Sequence, residues 1–257
     1  MRPGIFFALV ATLADSACAI TWNPSMTDPA PNTNRNVSMV SSNLARDPRF
    51  NGTGMVNTTT GRHGTGCLIG DRWVLTARHF IDGAADGTFM LEGASVPIVR
   101  FHTREDTDIA LAELGEPLDN YPVVELYDAS DEVGKMVYLV GYGLRGEFTG
   151  DPAELAKGGR HAAMNVIDAV RDCGGGIGET VVIGYSGNGK GSLPLEGAVA
   201  PGDSGAPAFL EEKGELRLVG QTYGVIPREN GFFFGRVSRY LDWIKSVMAG
   251  ADSSTKS

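Results

Sequence analysis

Short apolar runs separated by glycines and polar turn residues recur along the whole chain. They are rich in valine, isoleucine, threonine and aromatic residues, which is typical of β-strands. Strand-like runs are found at residues 64–70, 72–79, 109–114, 136–143, 161–170, 179–185 and 216–225. Glycine accounts for 35 of the 257 residues and helical periodicity is scarce, so the pattern predicts many short strands joined by turns.

Helical spacing becomes convincing only near the end of the chain. Leu241, Ile244 and Met248 recur on one face, which predicts a helix that begins within residues 235–244. Residues 249–257 are small and polar, and we expect them to form a flexible tail. In the middle of the chain, residues 116–124 carry two prolines and predict a crossover between two halves.

The first nineteen residues have the pattern of a secretory signal peptide. Arg2 supplies the positive start, Ile5–Leu13 the apolar stretch and Ala17–Ala19 a small-residue cleavage site. The apolar stretch is too short for a membrane helix, which needs about 20 residues. A lipoprotein anchor at Cys18 is the alternative, but Asp15 stands where such signals have an apolar residue. We therefore expect a secreted protein, extracellular or periplasmic, that has no membrane contact after signal removal.

Composition narrows the possible partners. The formal net charge is −9 and no basic run occurs, which argues against nucleic acid or an anionic membrane as the main partner. No histidines or cysteines have metal-ligand spacing, so neither a metal nor a cofactor is expected. After signal removal Cys67 and Cys173 remain. They could pair, but the apolar setting of Cys67 favours free thiols.

Three segments carry candidate chemistry. Residues 200–207 (APGDSGAP) place Ser204 between glycines, either as a nucleophile in a tight turn or as an ordinary turn residue. A serine nucleophile needs a base and an orienting acid. His79 follows a strand-like run, and Asp108 directly precedes the apolar run 109–114, which favours it over Asp106 as the buried acid. No histidine follows His161, which excludes the residue order of an α/β-hydrolase.

Four motifs together resemble the trypsin- and chymotrypsin-like serine proteases. They are Trp73–His79 (WVLTARH), Asp108–Leu111 (DIAL), Met136–Gly143 (MVYLVGYG) and Gly202–Gly205 (GDSG), in the order of that family. With the C-terminal helix, the resemblance covers roughly residues 60–248. It departs at Arg78, where the family usually has alanine, and at Phe80, where it usually has a disulfide-forming cysteine.

The resemblance implies an all-β fold of two antiparallel β-barrels with a C-terminal helix. After an N-terminal arm at residues 20–37, the first barrel would span 38–122 and the second 123–248. It also implies a catalytic triad of His79, Asp108 and Ser204, with an oxyanion hole formed by the N–H groups of Gly202 and Ser204. The expected protein is a monomeric secreted endopeptidase that acts on peptides or proteins. A catalytically inactive binding homologue and an esterase on the same fold are the alternatives.

The family's zymogen segment, Ile-Val-Gly-Gly, is absent from this chain. In the family a new N-terminal amine pairs with the aspartate before the serine, here Asp203. A buried carboxylate needs a partner. The candidates are Arg62 and the amine of Ile20 after signal removal, with Arg62 preferred, and we expect activity without a further cut.

The resemblance also implies a substrate pocket. Ala198 would form its floor and Thr222–Gly224 one wall. Phe232 would form the far wall and make the pocket shallow, whereas a one-residue bulge would place Gly231 there and make it deep. Neither version supplies a carboxylate, so we expect cleavage after an uncharged residue rather than after Arg or Lys.

Overall fold

A computed structural model describes residues 21–22, 41–144, 146–147, 159–185, 193, 195–226 and 231–254. The predicted signal peptide and most of the predicted arm lie outside these residues. Within the arm, one short strand is described, β1 (Thr21–Trp22).

Six antiparallel strands close the first barrel, in the order β2-β3-β4-β7-β6-β5. They are β2 (Thr53–Thr58), β3 (His63–Gly70), β4 (Trp73–Ala77), β5 (Gly87–Leu91), β6 (Ala94–Thr103) and β7 (Ile109–Leu114). β3 and β4 form the hairpin expected from their Gly-Asp turn. Inward side chains fill the barrel with one apolar cluster that includes Val56, Leu68, Phe89 and Leu114.

The second barrel also closes through six strands, because β14 and β15 pair in addition to the order β14-β9-β11-β12-β16-β15. The strands of this half are β8 (Glu125–Leu126), β9 (Met136–Gly141), β10 (Gly146–Glu147), β11 (His161–Asp172), β12 (Glu179–Gly184), β13 (Gly197–Ala198), β14 (Pro207–Glu212), β15 (Glu215–Ile226) and β16 (Gly231–Arg236). β8 adds to β15 in parallel, and β1 lies between β10 and β13 in a separate small sheet. The predicted strand pair at 216–225 is instead one long strand, β15, with an irregularity between Thr222 and Gly224.

Another apolar cluster joins the two barrels and the end of the chain. Its members come from the first barrel (Trp73, Leu75, Ile109), the second (Phe209, Leu218) and the C-terminal segment (Tyr240, Ile244). One short helix, α1 (Arg78–Ile81), follows β4, and the predicted C-terminal helix is α2 (Leu241–Ser254) after a 3₁₀ turn at Val237–Tyr240. α2 continues to Ser254, so its end lies beyond the predicted start of a flexible tail at residue 249. The two-barrel fold expected from the sequence is confirmed.

Both remaining cysteines, Cys67 and Cys173, are free thiols, as favoured above. Burial raises the pKa of the Cys67 thiol to about 12, which keeps it protonated and unreactive. Within the described ranges, no helix is long and apolar enough to cross a membrane.

Candidate active site

Strand pairing in the first barrel brings His79 and Asp108 together. β4 and β7 are antiparallel with Ala77 opposite Ile109, so the residue before β7 meets the start of α1. The main-chain N–H of His79 donates to Oδ1 of Asp108 at 2.9 Å, and Nδ1 of His79 lies 2.9 Å from Oδ2. The Asp108 side chain is almost fully buried. An ionised carboxylate only accepts hydrogen bonds, so this geometry places the histidine proton on Nδ1 and leaves Nε2 to accept.

Ser204 reaches this pair from the second barrel. Its Oγ lies 2.7 Å from Nε2 of His79, at the distance at which the hydroxyl donates to the ring. Thr65 of β3 donates its N–H to the Ser204 carbonyl at 2.8 Å, and Gly205 donates to the Thr222 carbonyl at 2.9 Å. The serine turn is therefore held by both barrels at once.

Gly205 shows why the turn needs glycine beside the serine. Its φ is +81°, and a Cβ there would lie 2.2 Å from the Thr65 carbonyl oxygen and 2.5 Å from Oγ1 of Thr76. That hydroxyl itself donates to the Thr65 carbonyl at 2.7 Å. Thr65 and Thr76 were not predicted as site residues. The sequence offered one signal for such a role, which is the polar residue Thr76 inside the otherwise apolar strand Trp73–Ala77.

Two main-chain N–H groups of the same turn are candidates for an oxyanion hole. Gly202 has φ +90°, and within the described part of the chain neither its N–H nor that of Ser204 has a hydrogen-bond partner. Adjacent unpaired donors beside a nucleophile are the geometry of an oxyanion hole.

Asp203 is fully buried and is held by main-chain donors. Gly143 donates to Oδ1 at 3.1 Å and Ala200 to Oδ2 at 3.0 Å. Gly141 leaves the room for this carboxyl, because a Cβ there would lie 1.9 Å from Oδ1. Burial raises the pKa of Asp203 well above its usual value, against the opposing effect of the two backbone hydrogen bonds.

The preferred pairing of Arg62 with Asp203 is not formed. Arg62 is exposed, and its Nη1 donates instead to the carbonyl of His79 at 3.3 Å. Arg62 directly precedes β3, and its hydrogen bond places the guanidinium at α1 rather than at the buried Asp203 carboxyl. Ile20, the other candidate, lies outside the described residues.

Two aromatic rings make edge-on contacts with His79. Tyr223 meets the imidazole edge-on with centroids 5.6 Å apart, and Phe80 does so at 6.0 Å. Phe80 is buried and lies against Gly64 of β3, where a Cβ would come within 2.7 Å of its ring. The position that usually forms a disulfide in the family is thus packed by an aromatic ring.

The predicted pocket residues lie on three strands of the second half. Thr222, Tyr223 and Gly224 are in β15, Ala198 is in β13 and Phe232 is in β16. Thr222 is buried, Tyr223 and Gly224 are half-buried, and a Cβ on Gly224 would meet open space. Ala198 and Phe232 belong to the same apolar cluster of the second barrel, 0% and 1% exposed. Both side chains are therefore part of the apolar interior of the second barrel.

Among the described residues, no group of histidine, cysteine, aspartate and glutamate could hold a metal ion. The site is therefore built from a hydroxyl, an imidazole, a carboxylate and main-chain donors. That arrangement can activate a hydroxyl nucleophile toward a carbonyl carbon.

A family model described as trypsin-like peptidase domain matches residues 64–220. This range covers most of both barrels and includes His79, Asp108 and Ser204. The chain belongs to the trypsin-like peptidase family.

Individual relatives agree with this assignment. Snake venom serine proteinase 14 from Crotalus adamanteus is 28% identical over 210 residues, which cover 72% of this chain and 78% of the venom protein. The solved structure of HL collagenase has a TM-score of 0.59 at 20% identity and covers 79% of this chain and 95% of its own. A scabies mite inactivated protease paralogue, S-D1, has a TM-score of 0.61 at 19% identity, with 80% and 94% covered. At these identities the solved structures support the fold alone.

Proposed function

We propose that the protein is a secreted serine endopeptidase that uses His79, Asp108 and Ser204. Ser204 Oγ attacks the carbonyl carbon of the scissile peptide bond while Nε2 of His79 takes the hydroxyl proton. The protonated imidazole then gives that proton to the leaving amine, and a water molecule hydrolyses the acyl-enzyme by the same route. Asp108 accepts from Nδ1–H, which fixes the tautomer and stabilises the imidazolium.

The oxyanion formed in each step is stabilised by the N–H groups of Gly202 and Ser204. In serine proteases, one such donor contributes about 3–4 kcal/mol to transition-state stabilisation. This role is supported by the absence of a hydrogen-bond partner for either N–H among the described residues.

One observation carries the proposal: the Ser204–His79–Asp108 chain of hydrogen bonds, at 2.7 Å and 2.9 Å, next to two unpaired N–H groups. The inactive binding homologue is the second candidate, and the likeness to an inactivated mite paralogue favours testing it. Loss of chemistry in such a protein would follow from a missing triad residue or a blocked oxyanion hole. The hydrogen bonds that join Ser204, His79 and Asp108 support the enzyme over this second candidate.

A fluorophosphonate probe separates the two candidates. We expect covalent labelling of the wild type at Ser204, no labelling of Ser204→Ala, and hydrolysis of a peptide substrate by the wild type alone. A folded wild type that the probe does not label would overturn the proposal in favour of a binding protein. Labelling with ester hydrolysis but no peptide hydrolysis would favour the esterase.

We propose further that the residue before the scissile bond is small and uncharged. Ala198 supplies no carboxylate, and the bulky Phe232 belongs to the same apolar cluster, which supports a shallow pocket suited to Ala or Val. We expect the extended substrate to lie along β15 near Gly224, where a Cβ would meet open space. Profiling with a peptide library tests this. A preference for Arg or Lys would contradict the role of Ala198, and strong cleavage after Phe or Tyr would contradict only that of Phe232.

We infer that signal removal supplies the partner of Asp203. Thr21 pairs with Ala198 and Gly146, so the chain that follows Ile20 lies beside the segment that leads to the Asp203 donor Ala200. An amine at Ile20 would neutralise a carboxylate that has no cation among the described residues. A chain that begins at Ile20 should be active without another cut. Addition of one alanine before Ile20 should lower its kcat/KM, and equal activity of the two chains would contradict this inference.

A further inference from the structure

The structure assigns a positioning role to Arg78: its side chain locks the loop that carries Asp108 onto the second barrel. The inference rests on the proposed function, since it concerns the alignment of the same triad. It goes beyond the family resemblance, because Arg78 stands where the family usually has alanine.

Arg78 holds the Asp108 loop at both ends. Its main-chain N–H donates to the Asp108 carbonyl at 2.6 Å, and its Nη1 donates to the Arg104 carbonyl at 2.5 Å. Residues 104–108 connect β6 to β7 and place Asp108 at the start of β7. The residue that precedes the catalytic base thus fixes the loop that precedes the catalytic acid.

The other guanidinium nitrogen crosses to the second barrel. Nη2 donates to the Gly176 carbonyl at 3.0 Å, in the turn between β11 and β12. Gly176 has φ +84°, and a Cβ there would lie 2.9 Å from the Glu105 carbonyl oxygen and 3.1 Å from Nη2. The turn therefore packs its backbone directly against the loop, and Arg78 joins the two.

A second side chain holds the same junction, which is the contact between the Asp108 loop and the turn that joins β11 to β12. Tyr240 donates its hydroxyl hydrogen to the Asp106 carbonyl and accepts from the N–H of Glu179, at 3.3 Å and 3.2 Å. Gly178 is required there, since a Cβ would come within 2.4 Å of the Asp106 carbonyl oxygen. Two bridges, one on each side of the Gly176 turn, hold the Asp108 loop against the second barrel, which also carries Ser204.

The positive charge of Arg78 strengthens its hydrogen bonds to the carbonyls of Arg104 and Gly176. Its guanidinium makes no salt bridge within the described residues, so its positive charge is directed at carbonyl oxygens. Burial raises the pKa of the neighbouring Tyr223 hydroxyl, the Asp108 charge raises it further, and Arg78 opposes that rise. Arg78 therefore lies close to the triad without touching substrate or reacting atoms, as a positioning residue does.

Arg72 offers a matched control. It is also in the first barrel, and its guanidinium also donates to two carbonyls. Both acceptors, the carbonyls of Leu114 and Gly115, belong to the same barrel as Arg72. Arg72→Ala should reduce stability without loosening the junction, whereas Arg78→Ala should misalign Asp108 and His79. A misplacement of about 1 Å costs on the order of 10²-fold in rate.

The experiment compares wild type, Arg78→Ala, Arg78→Lys and Arg72→Ala, each well below its Tm, with a short ester substrate. We expect kcat to fall about 10²-fold in Arg78→Ala with little change in KM, and less in Arg78→Lys, which keeps one donor. Guanidinium ion at non-denaturing concentration should restore activity to Arg78→Ala, whereas ammonium ion at equal ionic strength should not.

A second readout does not need activity. The proton on Nδ1 of His79 should give a downfield NMR resonance in wild type and Arg72→Ala, shifted or broadened in Arg78→Ala. Wild-type inactivity would contradict the proposed function, while this resonance would still decide the role of Arg78. The inference is wrong if Arg78→Ala keeps kcat within twofold of wild type and an unchanged resonance. It is also wrong if both alanine variants lose activity in proportion to Tm.

Discussion

The two barrels contribute to the site in different ways. The first presents His79 and Asp108 from the ends of paired strands around an apolar interior. The second presents Ser204 on a turn held by main-chain hydrogen bonds, and it buries a carboxylate, Asp203, directly beneath that turn. It also buries Glu132, which pairs with Arg236 at the end of β16. Strand register therefore fixes the proposed base and acid, whereas buried polar groups and glycines fix the proposed nucleophile.

The largest expected effect comes from removal of the reacting groups. Ser204→Ala or His79→Ala should lower kcat by roughly 10⁴–10⁶-fold, because each eliminates general-base-assisted attack. Neither side chain belongs to an apolar cluster, so the circular dichroism spectrum and Tm should stay near wild type. Retention of most peptidase activity by purified Ser204→Ala would contradict the mechanism.

Gly205→Ala tests whether the serine turn depends on its contact with the first barrel. The new Cβ would overlap the Thr65 carbonyl oxygen, so Ser204 must shift, and a loss of about 10²-fold in kcat is expected. Gly214→Ala is the matched control, since Gly214 has a similar φ of +87° but open space around a Cβ. The comparison of kcat between the two variants separates crowding at the turn from backbone strain alone. Equal losses would mean that strain suffices.

Glu132→Gln tests the buried ion pair of the second barrel. Burial tends to raise the pKa of Glu132, but the hydrogen bonds from Arg236 and Ser238 outweigh it and lower the pKa below its usual value. Loss of a buried pair costs about 3–5 kcal/mol, reduced here because Arg236 keeps Glu179. Because the pKa of Glu132 is lower in the folded state, its carboxylate stabilises the fold at pH values above the unfolded-state pKa. That stabilisation is lost as the pH falls through the folded-state pKa. The Tm gap between wild type and variant should therefore be widest near neutral pH and shrink in acid.

Asp203→Asn has the smallest expected effect and the opposite pH dependence. In a chain extended before Ile20 the carboxyl lacks an amine, and burial raises its pKa. A raised carboxyl pKa makes the wild-type fold lose stability as pH rises from the unfolded value, about 3.9, toward the folded value. The asparagine variant of this extended chain should have the higher Tm at neutral pH and the same Tm near pH 3, as measured by thermal denaturation. In a chain that begins at Ile20, the substitution should instead lower activity. A higher wild-type Tm at neutral pH in the extended chain would show that another cation pairs with Asp203.

Sequence was most informative where chemistry and strand pattern coincide. The Trp73–His79 and Asp108–Leu111 segments are each a strand end with a polar residue, so their pairing followed once both were placed in one barrel. The Ser204 turn could be found because glycine, aspartate and proline are residues that tight turns favour. These elements account for the fold and for the residues that the structure brings together.

Contacts that use main-chain atoms could not be predicted in the same way. Asp203 is held by the N–H groups of Gly143 and Ala200, and any residue type supplies an N–H. A side-chain partner was therefore sought, and Arg62 was chosen by its position in the chain, although its guanidinium binds the His79 carbonyl instead. The role of Arg78 was hidden for the same reason, since both of its acceptors are carbonyls.

The position of α2 has a consequence for the order in which the chain can fold. Ile244, near the start of this last helix, packs in the same cluster as Trp73 and Leu75 of β4, which are synthesised far earlier. Until the final segment emerges, the cluster that joins the two barrels lacks its C-terminal members, although the interior cluster of the first barrel is already complete. The first barrel can thus close early, but its interface with the second barrel is complete only once the C-terminus has been made. A chain that ends before Leu241 should expose apolar surface and aggregate, even though every residue of the triad is present.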